Sequence, residues 1–209
     1  MLVDDHAVVR TGFRLLLQAF GDIEVVAEAD SGEAACQMYE SVAPDVVVMD
    51  IAMAGMGGIE AIKRLVAKNA KVRILALSAH EDTSHPKRAL QAGALGYLSK
   101  RSAPEVLIDA IRAIAKGQHY LDAHIAQRMA VQDIHGGKGP MDALSPREFE
   151  VFLQLARGQS VAQISETLSL SSSTIGTHLY NVKQKLGLVN QAEMTLLAVR
   201  HGLIDVAAH

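Results

Sequence analysis

The chain has 209 residues, 49% of them hydrophobic, with no Trp and four each of Phe and Tyr, enough aliphatic material for one large core or two smaller ones. Its 20 Lys and Arg stand against 23 Asp and Glu, a net charge of −3, so bulk charge points neither to nucleic acid nor to a membrane surface, and any nucleic-acid contact has to be local. One cysteine, Cys36, excludes an intrachain disulfide and a multi-cysteine zinc site and suits a cytoplasmic location, while the acidic start Asp4-Asp5 and the lack of an apolar run near ~18 residues speak against export and membrane spanning.

Through residue 116, short Val- and Ile-rich runs alternate with amphipathic segments, the βαβα pattern of a parallel sheet covered on both faces. The expected strands are Leu2–Val3, Glu24–Ala29, Asp45–Met49, Arg73–Leu77 and Leu95–Leu98. Between them, Val9, Phe13, Leu16 and Leu17 keep helical spacing, as do Leu107, Ala110, Ile111 and Ile114 before Gly117. Five β/α units result. The first strand is short for the middle of a sheet, where about five residues are usual, and leads to the expectation that a few N-terminal residues are missing. Residues 117–140 read as a linker with a candidate helix at Asp122–Val131, followed by Gly136-Gly137-Lys138-Gly139-Pro140, which cannot extend a helix.

From 141 to 209 the sequence reads helix upon helix. Ser145-Pro146-Arg147-Glu148 combines a capping Ser, a Pro at the first helical position and a Glu three residues after the Ser. A short helix at Val161–Leu168 is joined by Ser169-Leu170-Ser171 to a longer one at Ser172–Leu186, closed by Gly187, and a fourth runs from Gln191 to His201. Two helices linked by a tight turn within four is a helix-turn-helix arrangement.

Ligands of parallel α/β sheets sit at the carboxyl ends of the strands, which selects Asp4-Asp5, Asp50, Ser78 and Lys100. Three converging carboxylates repel unless a divalent cation neutralises them, and hard oxygen ligands suit Mg²⁺. With the cation held, one carboxylate can attack a phosphoryl group in line, Lys100 can stabilise the equatorial oxygens, and the Ser78 hydroxyl can hydrogen-bond the captured group. In the second domain, Ile175, Leu179, Val182 and Leu186 form the apolar stripe of one helix. Its opposite side presents Ser173, Thr177, Tyr180, Asn181 and Gln184, with Lys183 and Lys185 flanking and no acid in the helix, inside a domain that is not basic as a whole. The nine His show no metal-ligand spacing, the linker glycines lack a phosphate-loop setting, and Cys36 among Ala34, Ala35 and Met38 reads as a packing residue.

LVDDH at 2–6, VVVMDI at 46–51, LALSAHED at 75–82, QAGALGYLSK at 91–100 and LSPREFEVFLQLARGQSVAQISETLSLSSSTIGTHLYNVKQKLGL from 144 together resemble the two-component response regulators of the NarL/FixJ family, with a LuxR-type DNA-binding domain. The paired glycines 57 and 58, RTGFRLLL at 10–17 and AVRHGLID at 198–205 are similar to its GacA/UvrY branch. The resemblance covers nearly the whole chain and implies a (βα)5 flavodoxin-like α/β receiver at 1–116 and an all-α four-helix helix-turn-helix domain at 141–209. It places the phosphoacceptor at Asp50, the acidic Mg²⁺ pair at Asp4 and Asp5, a further metal ligand at the Ala52 carbonyl, the switch hydroxyl at Ser78, the switch aromatic at Tyr97 and the site lysine at Lys100. It implies a sensor histidine kinase and double-stranded promoter DNA as partners, and a homodimer when phosphorylated. DNA contacts fall on Ser173, Thr174, Gly176, Thr177, Tyr180, Asn181, Lys183, Gln184 and Lys185. The chain departs from the family in having Ala54 where a proline is usual, Gly57-Gly58 for an Asp-Gly, and Gly176 and Tyr180 where relatives often carry Lys. The first two suggest a more mobile loop beside the phosphoacceptor, the last two base readout with fewer charged contacts.

Two other readings compete. An Asp-nucleophile phosphatase uses the same carboxylate chemistry but needs a general acid, commonly an Asp two residues on, where this chain has Ala52. A regulator that binds DNA without phosphorylation would keep the acidic site for metal or fold only. In the last helix Ala192, Leu196 and Val199 lie on one side and Met194, Leu197, Ala198 and His201 around the next; the resemblance implies a dimer contact there, and the alternative is that these residues simply close the domain core.

Overall fold

The computed structural model describes residues 1–79, 84–134, 140–201 and 203–204. The glycine run expected as linker, at 136–139, and part of the LALSAHED motif lie outside the described residues. The chain divides into two compact units, the first comprising Met1–Glu81 and His85–Met129 and the bulk of the second Ala130–His209.

In the first unit, strands β1 (Leu2–Val3), β2 (Glu28–Ala29), β3 (Val47–Asp50), β4 (Ile74–Ser78), β5 (Gly96–Ser99) and β6 (Tyr120–Leu121) form, among the described residues, one parallel sheet in the order β2-β1-β3-β4-β5-β6. Helices α1 (Ala7–Gln18), α2 (Gly32–Val42), α3 (Gly58–Lys68), α4 (Ser84–Gln91) and α5 (Pro104–Ala115) connect the first strands in βα order, the doubly wound form that the alternating pattern implied. The strand period of two sorts the apolar residues. Val47, Met49, Ile74 and Ala76 join Ala35, Cys36, Ile62 and Leu65 of α2 and α3 in one core layer. Val46, Val48, Leu75 and Leu77 join Leu17 of α1 and Leu107, Ile108, Ile111 and Ile114 of α5 in the other.

Two details depart from the periodicity. The second strand, expected over Glu24–Ala29, is a ladder only at Glu28–Ala29, because the two residues of β1 offer nothing further to pair with. A cavity of about 380 Å³ opens beside that uncovered stretch, lined by Met1, Leu2, Val25, Val26 and Val46 among others. At the opposite edge, β6 extends the sheet into the segment read as linker, followed by helix α6 (Ala123–Ile134), whose Ile125 is buried in the first core layer. The glycine at Gly96 permits this pairing, since a Cβ there would stand 2.6 Å from the Tyr120 carbonyl oxygen.

The second unit contains, after α6, a 3₁₀ turn at Pro140–Ala143 and helices α7 (Pro146–Ala156), α8 (Val161–Leu168), α9 (Ser172–Leu186) and α10 (Gln191–Arg200). The Ser145/Glu148 capping box is formed as its spacing implied, and Ser160 with Gln163 makes a second one at α8. Ser171 caps α9, and Gly187 (φ 65°) ends it in a left-handed turn. Phe149, Phe152, Ile164, Ile175, Val182, Met194 and Ala198 form the core of this unit.

Candidate functional site

The carboxyl edge of the parallel strands gathers the expected polar residues. Asp4 follows β1, Asp50 ends the neighbouring β3 and Lys100 follows β5, from where its long side chain reaches past β4 to both carboxylates. Lys100 Nζ donates to Asp4 Oδ2 at 2.5 Å and lies 2.7 Å from Asp50 Oδ2, while Asp4, Asp5, His6 and Asp50 each offer a ligand atom within 4.8 Å of the others. Asp4 and Asp50 are buried, Asp50 to 1% exposure. The Asp4 carboxylate also accepts the His6 N–H at 2.9 Å, and the Asp4 carbonyl accepts Arg10 Nη1 at 2.6 Å. Gly58 lets α3 start hard against β3: a Cβ there would lie 2.1 Å from the Asp50 carbonyl oxygen.

Burial dominates the electrostatics of the cluster. Burial pushes the Asp50 carboxyl above its ordinary range; Lys100 and the Ala52 N–H, donated to Asp50 Oδ1 at 3.1 Å, offset this only in part, and the Asp4 charge adds to it. Burial acts to lower the Lys100 ammonium, but Asp50 and Asp4 outweigh it and the net direction is up. Asp5 Oδ1 and Asp50 Oδ2 are buried without a directional hydrogen bond, although His6 Nδ1 and Lys100 Nζ each stand 2.7 Å away as ion-pair neighbours. Three carboxylates that can each bring an oxygen within 4.8 Å of the others are what a divalent cation satisfies, so the donor set fits Mg²⁺, whose preference for oxygen passes over the His6 ring.

Ser78 ends β4 one residue beyond Leu77, the register partner of Asp50, and its side chain is fully buried; the Lys100 N–H donates to the Ser78 carbonyl at 2.7 Å. Tyr97 on β5 is fully buried, so the structure describes its inward position. Three carboxylates hold the loop after β3 by alternate N–H groups: Asp50 takes Ala52, Asp5 takes Ala54 (3.1 Å) and Glu33 of α2 takes Met56 (2.7 Å). The tie to Asp5 needs an N–H that a proline at position 54 would lack.

On α9, Ile175 and Val182 are fully buried and Leu179 and Leu186 half-buried, which leaves Ser173, Gly176, Thr177, Tyr180 and Gln184 exposed and Thr174, Asn181 and Lys183 half-buried. Tyr180 is 62% exposed, and an added Cβ at Gly176 would meet nothing within 4 Å. Lys185 differs from its companions. Its Nζ donates to Glu148 Oε2 at 2.5 Å, and the same oxygen accepts the capping N–H of Ser145 at 2.7 Å. Burial acts to raise the Glu148 carboxyl, but Lys185 and Ser145 together hold it below the usual range. The sequence identified Glu148 as a cap and gave no sign of this partner, 37 residues away. His6 in the acidic cluster and Glu33 at the loop carry no site motif in the sequence; their signals there are adjacency to the acid pair and to a helix start.

Comparison with known proteins identifies the class of each unit. Residues 1–112 match the response regulator receiver domain, and residues 142–198 match the luxR family of bacterial regulatory proteins. The chain is 42% identical to response regulator UvrY of Escherichia coli (strain K12) over 207 residues, which is 98% of this chain and 95% of the relative. It is 37% identical to response regulator GacA of Pseudomonas aeruginosa, with coverage of 100% and 98%. Among solved structures it is similar to ChrA, a response regulator of a heme-sensing two-component system (36% identity, TM-score 0.54, 98% of this chain and 97% of that one). It is also similar to RcsB from Salmonella enterica serovar Typhimurium bound to promoter rprA in the presence of the phosphomimetic BeF3− (26% identity, TM-score 0.63, coverage 94% and 95%). The chain belongs to the two-component response regulators that join a receiver domain to a luxR-family DNA-binding domain. Among the described residues no helix is long and apolar enough to cross a membrane.

Proposed function

We propose that this chain is a DNA-binding transcription regulator switched by phosphorylation of Asp50, with a sensor histidine kinase as phosphodonor. The observation that carries the reading is the buried Asp50 carboxylate at the end of β3, 2.7 Å from Lys100 and clustered with Asp4 and Asp5. Asp4, Asp5 and Asp50, with the Ala52 carbonyl, would hold Mg²⁺, which when bound neutralises their charge and polarises the phosphoryl oxygens. An Asp50 oxygen attacks phosphorus in line, an acyl phosphate forms, and the kinase's histidine nitrogen leaves. Lys100 pairs with the charge on the transferred group, and the Ser78 hydroxyl turns to donate a hydrogen bond to it, with the inward Tyr97 as the companion switch residue. Ala52, two residues after the nucleophile, supplies no general acid for turnover, so catalysis is limited to the chain's own phosphotransfer. The site is a cytoplasmic one in this reading, facing a kinase that is itself the input.

The exposed face of α9 enters the major groove, with Ser173, Thr174, Gly176, Thr177, Tyr180, Asn181 and Gln184 toward the bases and Lys183 toward a phosphate. Lys185, already bonded to Glu148, serves as a clamp within the unit. On α10, Met194 and Ala198 are spent on the core, which leaves Ala192, Leu196 (58% exposed) and Val199 as the stripe for a homodimer contact. The promoter-bound RcsB structure supports both the DNA partner and the phosphate switch.

Labelling with a radioactive small-molecule phosphodonor tests the reading. Stable, Mg²⁺-dependent labelling that Asp50→Asn abolishes and Asp5→Ala weakens is the expected result. Rapid release with turnover would make the protein a phosphatase. No labelling at all would make it a phosphorylation-independent regulator, and full labelling of Asp50→Asn would move the acceptor elsewhere.

A further inference from the structure

The loop between β3 and α3 has to carry the Ala52 carbonyl, yet it has Ala54 and no proline to stiffen it, and it contains Gly55 and Gly57, both with positive φ (69° and 71°). Its N–H groups at 52, 54 and 56 are held by three carboxylates from three elements. Two of these, Asp50 and Asp5, also carry the metal and phosphoryl chemistry, through the oxygens that do not hold the loop, so their grip on it is tied to the state of the site. Glu33 is outside the acidic cluster. It sits in the first turn of α2, whose N-cap is Ser31, and it reaches across to Met56 rather than to its own helix, with Oε1 2.7 Å from the Met56 nitrogen. Gly55 makes room for that reach: a Cβ there would stand 2.9 Å from the same Glu33 oxygen.

We propose that Glu33 is a positioning residue for phosphotransfer, which pins the β3–α3 loop through the Met56 N–H from outside the acidic cluster, so that the Ala52 carbonyl is preset toward Mg²⁺ whatever the state of Asp5 and Asp50. The proposal rests on the reading of Asp4, Asp5 and Asp50 as the metal and acceptor site. A carboxylate-to-amide hydrogen bond at an exposed position shifts a local equilibrium by a modest amount, so loss of Glu33 weakens Mg²⁺ binding roughly three- to ten-fold.

The experiment compares full-length wild type, Glu33→Ala and Glu33→Gln by Mg²⁺ calorimetry, by amide hydrogen exchange over residues 52–57, and by labelling rate at low and saturating Mg²⁺. Glu33→Ala is expected to bind Mg²⁺ more weakly, to exchange the Met56 amide faster, and to label slowly at low Mg²⁺ with recovery at saturation. Glu33→Gln keeps an acceptor oxygen and behaves as wild type, which separates the hydrogen bond from a charge effect on the α2 terminus. If wild type binds Mg²⁺ and Glu33→Ala matches it in affinity and in Met56 exchange, the proposal is wrong while the site reading stands. If Glu33→Gln is as impaired as Glu33→Ala, charge and not the loop tie is responsible, and the proposal fails. If wild type itself binds no Mg²⁺, the site reading fails and takes this inference with it.

Discussion

Lys183 and Lys185 flank the same exposed helix face and both are expected as DNA contacts, but Lys185 is bonded to Glu148, which gives it a second role to test. Lys185→Ala removes the ammonium 2.5 Å from Glu148 Oε2 and leaves a carboxylate of 5% side-chain exposure without that charge partner, its capping bond to Ser145 retained. Breaking a fully buried pair costs 3–5 kcal/mol and an exposed one ~0–1; because the Lys185 side chain is 40% exposed, solvent screening brings the expected loss to about 1–2 kcal/mol. For a unit of this size that is a fall of roughly 5–12 °C in its melting transition, measurable by calorimetry. The pH dependence has a defined sign. The Glu148 carboxyl is held below its unfolded value of 4.5, so its contribution is fully present above about pH 4.5 and is lost as pH falls through the lower folded value. The stability gap between wild type and Lys185→Ala therefore narrows below pH 4.5. In DNA binding, Lys183→Ala should weaken all sequences and reduce the salt slope by about one, whereas Lys185→Ala should leave the slope unchanged. An unaltered melting transition together with a slope reduced by about one would refute the clamp and return Lys185 to the phosphate contacts.

Tyr180→Ala should change preference among DNA sites more than affinity for random sequence; equal losses on both would remove Tyr180 from the base-reading set. Gly176→Ala meets open space in mid-helix and should stabilise the second unit by about 0.5–1 kcal/mol, with a selective loss of specific binding only if DNA comes close to that backbone. Ile125→Ala should cost the first unit about 2–5 kcal/mol, read as a lowered melting transition, because its side chain is part of the core; an effect of a few tenths would return α6 to the status of a linker. Ser78→Ala should preserve labelling by a phosphodonor and lose phosphorylation-dependent DNA affinity; intact coupling would exclude the hydroxyl from the switch.

Much of the molecule is legible in local pattern. The alternation of Val46 to Met49 and of Ile74 to Leu77 between two core layers is a period of two written in the chain, and the Ser145/Glu148 box is complete within four residues. The rule that sites lie at the carboxyl ends of parallel strands then brings Asp4, Asp50 and Lys100 together without any coordinates. Other features depend on partners that no window of sequence contains. The second strand shrinks to Glu28–Ala29 because its neighbour is two residues long, and β6 exists because Gly96 lets the Tyr120 carbonyl close on the sheet edge. Nothing in the sequence pairs Glu33 or Lys185 with a partner within the chain until folding sets Met56, 23 residues on, and Glu148, 37 residues back, within hydrogen-bond reach. Period and capping are properties of consecutive residues, since backbone geometry alone decides which side chains share a face. The partner of a charged side chain on that face is decided by what the rest of the chain packs beside it, and only the tertiary structure holds that information.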